Sequence, residues 1–245
     1  MNKLPKYITF DAYGTLVDFQ MSKATLEILG ERTKDIDTEA FLDDYHEIRW
    51  EEILKEYRPY ETVIRRSFST IMRKHGLDYT EEDGDAMIHA ITTWGAFPDV
   101  PPVLRILRQY CKLVIISNTE DRIIEKNIEN MGVPFDDYIS ADQARAYKPA
   151  HEVFHYTLKK LDCDKSDILH VANGFEYDIM PAHELGWKAV WINREGIPGD
   201  PAYGPYDELP TLTGLPELLG IESCSVCYFA SAEAKNWSKQ QAKSS

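Results

Sequence analysis

Tyr7-Ile8-Thr9-Phe10-Asp11-Ala12-Tyr13-Gly14-Thr15-Leu16 begins as a short apolar run and stops at a carboxylate. Tyr7–Phe10 reads as a buried strand, and three later runs share its character: Leu113–Ile116, Ile168–Ala172 and Ala189–Ile192. Runs with apolar side chains on both faces fit a parallel sheet covered by helices. Helical stretches are expected near 99–110, 120–131, 149–161 and 178–186. Strand alternating with helix predicts an α/β fold, a Rossmann-like doubly wound parallel sheet.

Ligands of such sheets bind beyond the carboxyl ends of the strands. Asp11 follows the first run, Ser117-Asn118 the second, and Asn173 and Asp178 the third. Lys148-Pro149 opens the helix expected at 149, with Pro149 at its first position and Lys148 at its entrance. Four polar groups therefore converge on one rim. Taken singly they have plainer readings: Ser117-Asn118 as turn chemistry, Lys148 as a surface lysine, Asp178 as a helix N-cap.

The segment 18–97 breaks the alternation. It contains no convincing strand and reads as amphipathic helices, for example 37–57 and 60–75. The expected organisation is an α/β core formed by 1–17 and 98–221, a helical cap over 18–97, and a polar C-terminal tail over 222–245.

The 245 residues suffice for a core with one insertion, and 43% hydrophobic with 28% charged residues is ordinary globular composition. A formal net charge of −14 disfavours nucleic acid and anionic membranes as partners. A small anionic substrate remains compatible, since local charge in a cleft can oppose the global sign. No apolar run approaches the ~20 residues of a membrane span. The polar start, Met1 to Lys6, carries no signal peptide, so a cytoplasmic location is expected. Cysteines 111, 163, 224 and 227 are expected as reduced thiols. Cys224 and Cys227 form a lone CxxC, half a structural zinc site, and read as chance.

Phe10-Asp11-Ala12-Tyr13-Gly14-Thr15-Leu16 resembles the nucleophile motif of the haloacid dehalogenase superfamily. Ser117-Asn118 resembles its second motif, Lys148-Pro149 its third and Asn173–Asp178 its fourth, in the family's order across about 11–193. Phosphatases of that superfamily use a second Asp two residues after the nucleophile as proton donor, and two acids in the fourth motif to hold magnesium. Here those positions carry Tyr13 and Asn173, leaving Asp178 alone. The pattern therefore resembles type II, (S)-2-haloacid dehalogenases, since halide leaves without proton donor or metal.

That resemblance implies Asp11 as nucleophile and Lys148 as the ammonium that keeps it ionised and lowers its pKa. It implies Asp178 as the group that positions water, and Thr15 as a hydrogen-bond partner within the loop. Ser117 would bind the substrate carboxylate and Asn118 would help receive the halide. The cap arginine of the family matches Arg49, and Trp50, Tyr13 and Phe175 would form a wall that strips water from the reacting carbon. No cofactor or metal is implied, and a homodimer is compatible. Three positions depart from the family: Phe154, Asn173 and Phe175 remove hydrogen-bond partners from the lysine and the final carboxylate. Three competing readings stand beside this one. They are a magnesium-dependent phosphatase, a non-catalytic binding module on the same fold, and a zinc hydrolase built on His151-Glu152-Val153-Phe154-His155 with Glu176 as third ligand.

Overall fold

A computed structural model of the chain describes residues 4–221. The expected tail and the Cys224/Cys227 pair lie outside the described residues. A six-stranded sheet runs in the order β3-β2-β1-β4-β5-β6, and every pairing is parallel. Its strands are β1 Tyr7–Phe10, β2 Lys112–Ser117, β3 Asp137–Ser140, β4 Ile168–Ala172, β5 Lys188–Ile192 and β6 Asp207–Leu209. Every residue of β1 and β4 is buried, as both-face apolar runs require. Tyr7 to Phe10 run level with Lys112 to Ile115 on one side and with Ile168 to Val171 on the other. Strand order reverses around β1, so the crevice beyond the carboxyl ends of β1 and β4 is the switch point where α/β sheets take ligands.

Four helices lie between β1 and the return to the sheet: α1 Met21–Leu29, α2 Thr38–Ile53, α3 Tyr60–Lys74 and α4 Glu81–Thr93. Their ends follow local chemistry. Asp37 caps α2 by accepting from the Glu39 and Ala40 N–H groups, and Thr80 with Asp83 forms a capping box on α4. Their buried side chains, Phe41, Ile64 and Phe68 among them, join one apolar cluster with Ile8, Phe10 and Ile115 of the sheet. The remaining helices are α5 Val100–Leu107, α6 Asp121–Met131, α7 Ala141–Ala144, α8 His151–Leu161, α9 Met180–Leu185 and α10 Leu215–Leu218. No described helix is long and apolar enough to cross a membrane.

Local expectations fail where apolar periodicity is absent. β3 begins half-buried and β6 is a three-residue edge strand with two exposed acids, so neither carries an apolar run. Pro149 is not the first helical residue: the Lys148–Pro149 peptide is cis and α8 begins at His151. Asp178 is not an N-cap either. It sits inside a π-helical turn, Phe175–Ile179, that leads into α9.

Candidate active site

The loop after β1 wraps around the Asp11 carboxylate. The Asp11 N–H bonds to the Val171 carbonyl at 3.0 Å, continuing the β1–β4 ladder by one residue. Gly14 then turns the chain at φ +83°, a conformation L side chains rarely adopt. A side chain there would also stand 3.0 Å from Asn173 Oδ1. The turn brings Thr15 back so that its hydroxyl donates to Asp11 Oδ2 at 2.6 Å and accepts from the Asn173 N–H at 2.7 Å. Arg194, one residue beyond Asn193 at the end of β5, pins the same loop. Its guanidinium donates to the Thr15 and Gly14 carbonyls at 2.8 and 3.2 Å and forks onto Asp99 at 3.1 Å through both nitrogens.

Lys148 reaches this carboxylate from the segment before α8. Its ammonium donates to Asp11 Oδ1 at 2.8 Å, Asp178 Oδ1 at 2.7 Å and the Ile116 carbonyl at 2.9 Å. Those three bonds use all three ammonium protons, in a side chain only 1% exposed. Asn118 holds the lysine backbone, donating to its carbonyl at 2.8 Å and accepting from its N–H at 2.7 Å. The expectation that Phe154 leaves the lysine short of partners is therefore corrected: strand β2 supplies a carbonyl in its place. Asp178 likewise gains a partner that the sequence reading missed, His170 of β4, at 2.9 Å from Oδ1. Its Oδ2 is buried and has no hydrogen-bond partner among the described residues. A side chain on Gly174 would come within 2.8 Å of that oxygen, so glycine leaves the space beside it open.

Charge in this buried cluster is finely balanced. Burial pushes the Asp11 carboxyl up, the Lys148 ammonium pulls it down, and the Asp178 carboxylate adds to the rise; the result lies above the usual aspartate range. Lys148 thus lowers the Asp11 carboxyl as expected, but burial, with Asp178 adding to it, outweighs the lysine and leaves the net shift upward. For Asp178, burial is outweighed by Lys148 and His170, and its carboxyl is held low. For Lys148, burial is outweighed by the two carboxylates, and its ammonium is held above the usual lysine range. A reaction that uses ionised Asp11 must fail as pH falls through its raised pKa. The acid limb of kcat/KM is thus expected above the ordinary aspartate range, with no loss from Lys148 until beyond the ordinary lysine range. A pH–rate profile checks this, and an acid limb at or below the usual aspartate range refutes the balance.

In front of these groups lies a cleft of about 970 Å³, near the upper end of the ~300–1,000 Å³ typical of small-molecule sites. Arg49 enters it from α2. Its guanidinium lies over the rings of Tyr45 and Phe19 at 4.9 and 5.6 Å, its Nε is buried without a partner, and it forms no ion pair among the described residues. Tyr13 also lines the cleft, but its hydroxyl donates to Asn127 Oδ1 at 2.8 Å. Burial drives the Tyr13 phenol well above its usual range. Phe175 packs on Trp191 and Tyr206 with ring centres 4.9 and 5.5 Å apart. Asn173 donates its amide to the Ile192 carbonyl at 2.9 Å. Ser117 ends β2 with its hydroxyl buried and unpartnered among the described residues. Trp50 instead packs edge-on against Tyr177, and Tyr177 lines the cleft.

The zinc pattern is not assembled. His151 bonds to Glu184 at 2.8 Å, whereas Glu176 lines the cleft. Among the described residues no group of three or more His, Cys, Asp or Glu side chains is set to hold a metal ion. Sequence reasoning missed His170 and Arg194. A histidine inside an otherwise apolar strand was a usable signal for the first. For the second, the position just past a strand's carboxyl end gave the same kind of cue.

Comparison with known proteins agrees with this geometry. The family model for haloacid dehalogenase-like hydrolases matches residues 5–186. An (S)-2-haloacid dehalogenase of Pseudomonas sp. (strain YL) is 29% identical over 196 residues, 78% of this chain and 84% of that protein. Haloacetate dehalogenase H-2 of Moraxella sp. (strain B) is 28% identical over 220 residues, 87% of this chain and 97% of that protein. The L-2-haloacid dehalogenase of Xanthobacter autotrophicus, solved with chloropropionic acid covalently bound, superposes with a TM-score of 0.76 at 21% identity, over 90% of this chain and 100% of that one. The motif order, the parallel sheet with Asp11 at its switch point and a family match across most of the chain lead to one assignment: this protein belongs to the haloacid dehalogenase-like hydrolases.

Proposed function

We propose that this hydrolase converts small 2-haloalkanoic acids to 2-hydroxy acids through an ester on Asp11. The observation that carries the reading is the pairing of a lysine-held carboxylate with Tyr13 and Asn173 at the two positions where the phosphatases of the superfamily carry acids. Tyr13 stands where a phosphatase acid would be, its hydroxyl engaged by Asn127 and its phenol made a weaker acid by burial. Asn173 stands where a second metal-binding acid would be. A halide needs neither group.

In the first step the Asp11 carboxylate attacks C2 opposite the halogen. The new C–O bond forms as the carbon–halogen bond breaks, the halide leaves with the electron pair, and C2 inverts. Arg49, which forms no ion pair among the described residues, attracts the halide and the substrate carboxylate. The Ser117 hydroxyl and nearby backbone hold that carboxylate, and the second amide hydrogen of Asn118 is available to the halide. Tyr13, Phe175 and Tyr177 exclude bulk water from the carbon, which strengthens each charge contact. In the second step water adds to the ester carbonyl. Asp178, through its unpartnered Oδ2, takes up the proton. The acyl–oxygen bond breaks, the departing alkoxide takes the proton back from Asp178 and leaves as the 2-hydroxy acid with the former Asp11 oxygen, and the water oxygen stays in Asp11 while the second water proton is released to solvent. Thr15 holds the loop in register throughout. The names of the relatives favour the S enantiomer. A purely binding role is disfavoured because Asp11, Thr15, Lys148 and Asp178 still form one connected cluster.

The deciding assay is chloride release from 2-chloropropionate in the presence of EDTA, beside phosphate release from p-nitrophenyl phosphate with magnesium. Chloride release that survives EDTA is the expected result. Magnesium-dependent phosphate release without chloride release would replace this reading with the phosphatase. Arg49→Gln is expected to raise KM about tenfold or more, a loss of at least ~1.4 kcal/mol of anion binding, with a smaller fall in kcat. Initial rates over a range of substrate concentration check it, and an unchanged KM removes Arg49 from the anion site.

A further inference from the structure

His170 has no part in the reaction as drawn so far, yet its setting is specific. It stands at the centre of β4 with none of its surface exposed. A buried imidazole is tolerated when both nitrogens are bonded, and here both are. Nε2 lies 2.9 Å from Asp178 Oδ1 and Nδ1 lies 2.8 Å from Thr9 Oγ1. Thr9 and His170 are register partners on β1 and β4, so their side chains stand together on one face of the sheet. A carboxylate only accepts, so Nε2 carries a hydrogen and donates it; in the neutral ring Nδ1 then accepts from the Thr9 hydroxyl. Phe154 and Trp187 meet the ring edge-on at 5.9 and 6.2 Å and fix its plane.

We propose that His170 is a positioning residue for ester hydrolysis: it anchors Asp178 Oδ1 so that Oδ2 stays open for the attacking water. The inference rests on the dehalogenase reading above. Its basis is the asymmetry of Asp178, whose Oδ1 receives donors from Lys148 and His170 while Oδ2 receives none among the described residues. In the free enzyme the Lys148 ammonium is shared with Asp11. Once Asp11 is an ester it carries no charge, and the attraction of Lys148 falls wholly on Asp178. A carboxylate tied only to that lysine can swing and present either oxygen; the second donor on Oδ1 prevents this. Halide displacement uses Asp11 and Lys148 and does not need His170. The two half-reactions should therefore separate when His170 is changed.

Rapid-quench measurement of chloride from 2-chloropropionate, with intact-protein mass spectrometry of the quenched enzyme, reads both halves. In His170→Phe, which keeps an aromatic ring between Phe154 and Trp187, chloride is expected as a burst of about one equivalent per site. Steady turnover should then be 10–100-fold slower, on the order of the loss seen when an orienting partner behind a functional side chain is removed. The Asp11 ester should accumulate. His170→Gln, whose amide can still donate to Asp178, should recover part of the loss. Thr9→Val should give the same pattern more weakly, and it keeps the test decisive if His170→Phe does not fold. Turnover at the wild-type rate in His170→Phe or Thr9→Val overturns the inference. So does a fall of burst and turnover together with no ester. A wild-type enzyme that releases no chloride and forms no ester would instead remove the dehalogenase reading itself.

Discussion

Asp11→Asn is expected to abolish turnover while the protein remains folded. The amide oxygen is uncharged and a poor nucleophile, so the first step loses its attacking group; a fall on the order of 10⁴-fold or more is expected. The fold should survive because the substitution is isosteric, and the contacts around Asp11 accept an amide. Lys148 keeps Asp178 and the Ile116 carbonyl, and the Thr15 hydroxyl can donate or accept. Charge balance adds a second signature. Wild type buries two carboxylates around one ammonium, and the Asp11 pKa is raised as a result. A group with a raised folded pKa favours the fold below its unfolded pKa, and that contribution is lost as pH rises through the folded value. Above its folded pKa, ionised Asp11 is therefore a net cost that Asn removes. The Tm of Asp11→Asn should equal or exceed wild type on the alkaline side of the acid limb, and the gain should vanish as the pH falls below the Asp11 pKa. Full activity in the variant would take Asp11 out of the mechanism, and a lower Tm on the alkaline side of the acid limb would contradict the charge balance.

The sequence carried the parts of this site that lie on buried strands and helix entrances. Asp11 was visible because Tyr7–Phe10 is apolar on both faces and then stops at a charge. Lys148 and Asp178 were visible through order and spacing along the chain. What one sequence hides is how side chains divide their bonds. Nothing in the residue string says that Asn118 serves the Lys148 backbone, or that Ile116 offers the carbonyl that makes a third lysine bond. Both contacts arise from strand register and from the path of the chain before α8. The change at Phe154 looked like a loss when read along the helix. Across the sheet it borders His170, which donates to Asp178 from the neighbouring strand. Strands β3 and β6 were invisible because an edge or half-exposed strand needs no apolar run.

Lys148→Met is expected to be the most damaging substitution in the site for stability and activity together. Methionine is of similar length and unbranched, so the cavity stays filled and the loss is chiefly electrostatic. Two buried carboxylates then face each other without a counter-charge, and the Ile116 carbonyl loses its donor. Breaking a buried pair from one side costs roughly 3–5 kcal/mol. Activity should fall on the order of 10³-fold or more, because Asp11 is neither oriented nor kept ionised. The sign of the pH effect follows from the same charges. Lys148 lowers both carboxyls, so its loss moves both pKa values up, Asp11 further than in wild type. Two like charges in one site also resist ionising together, which favours one proton shared between them. Raised folded pKa values favour the fold at low pH and lose that advantage as pH rises. The stability deficit against wild type should thus be largest at neutral pH and shrink on acidification, and the acid limb of any residual kcat/KM should move to higher pH. In wild type the lysine contribution persists until pH passes its raised pKa, so no matching change appears at neutral pH. Denaturant melts at several pH values and a pH–rate profile of the variant measure both shifts. A variant within tenfold of wild-type activity, or equally stable at neutral pH, would mean that the ammonium does not hold the two carboxylates together.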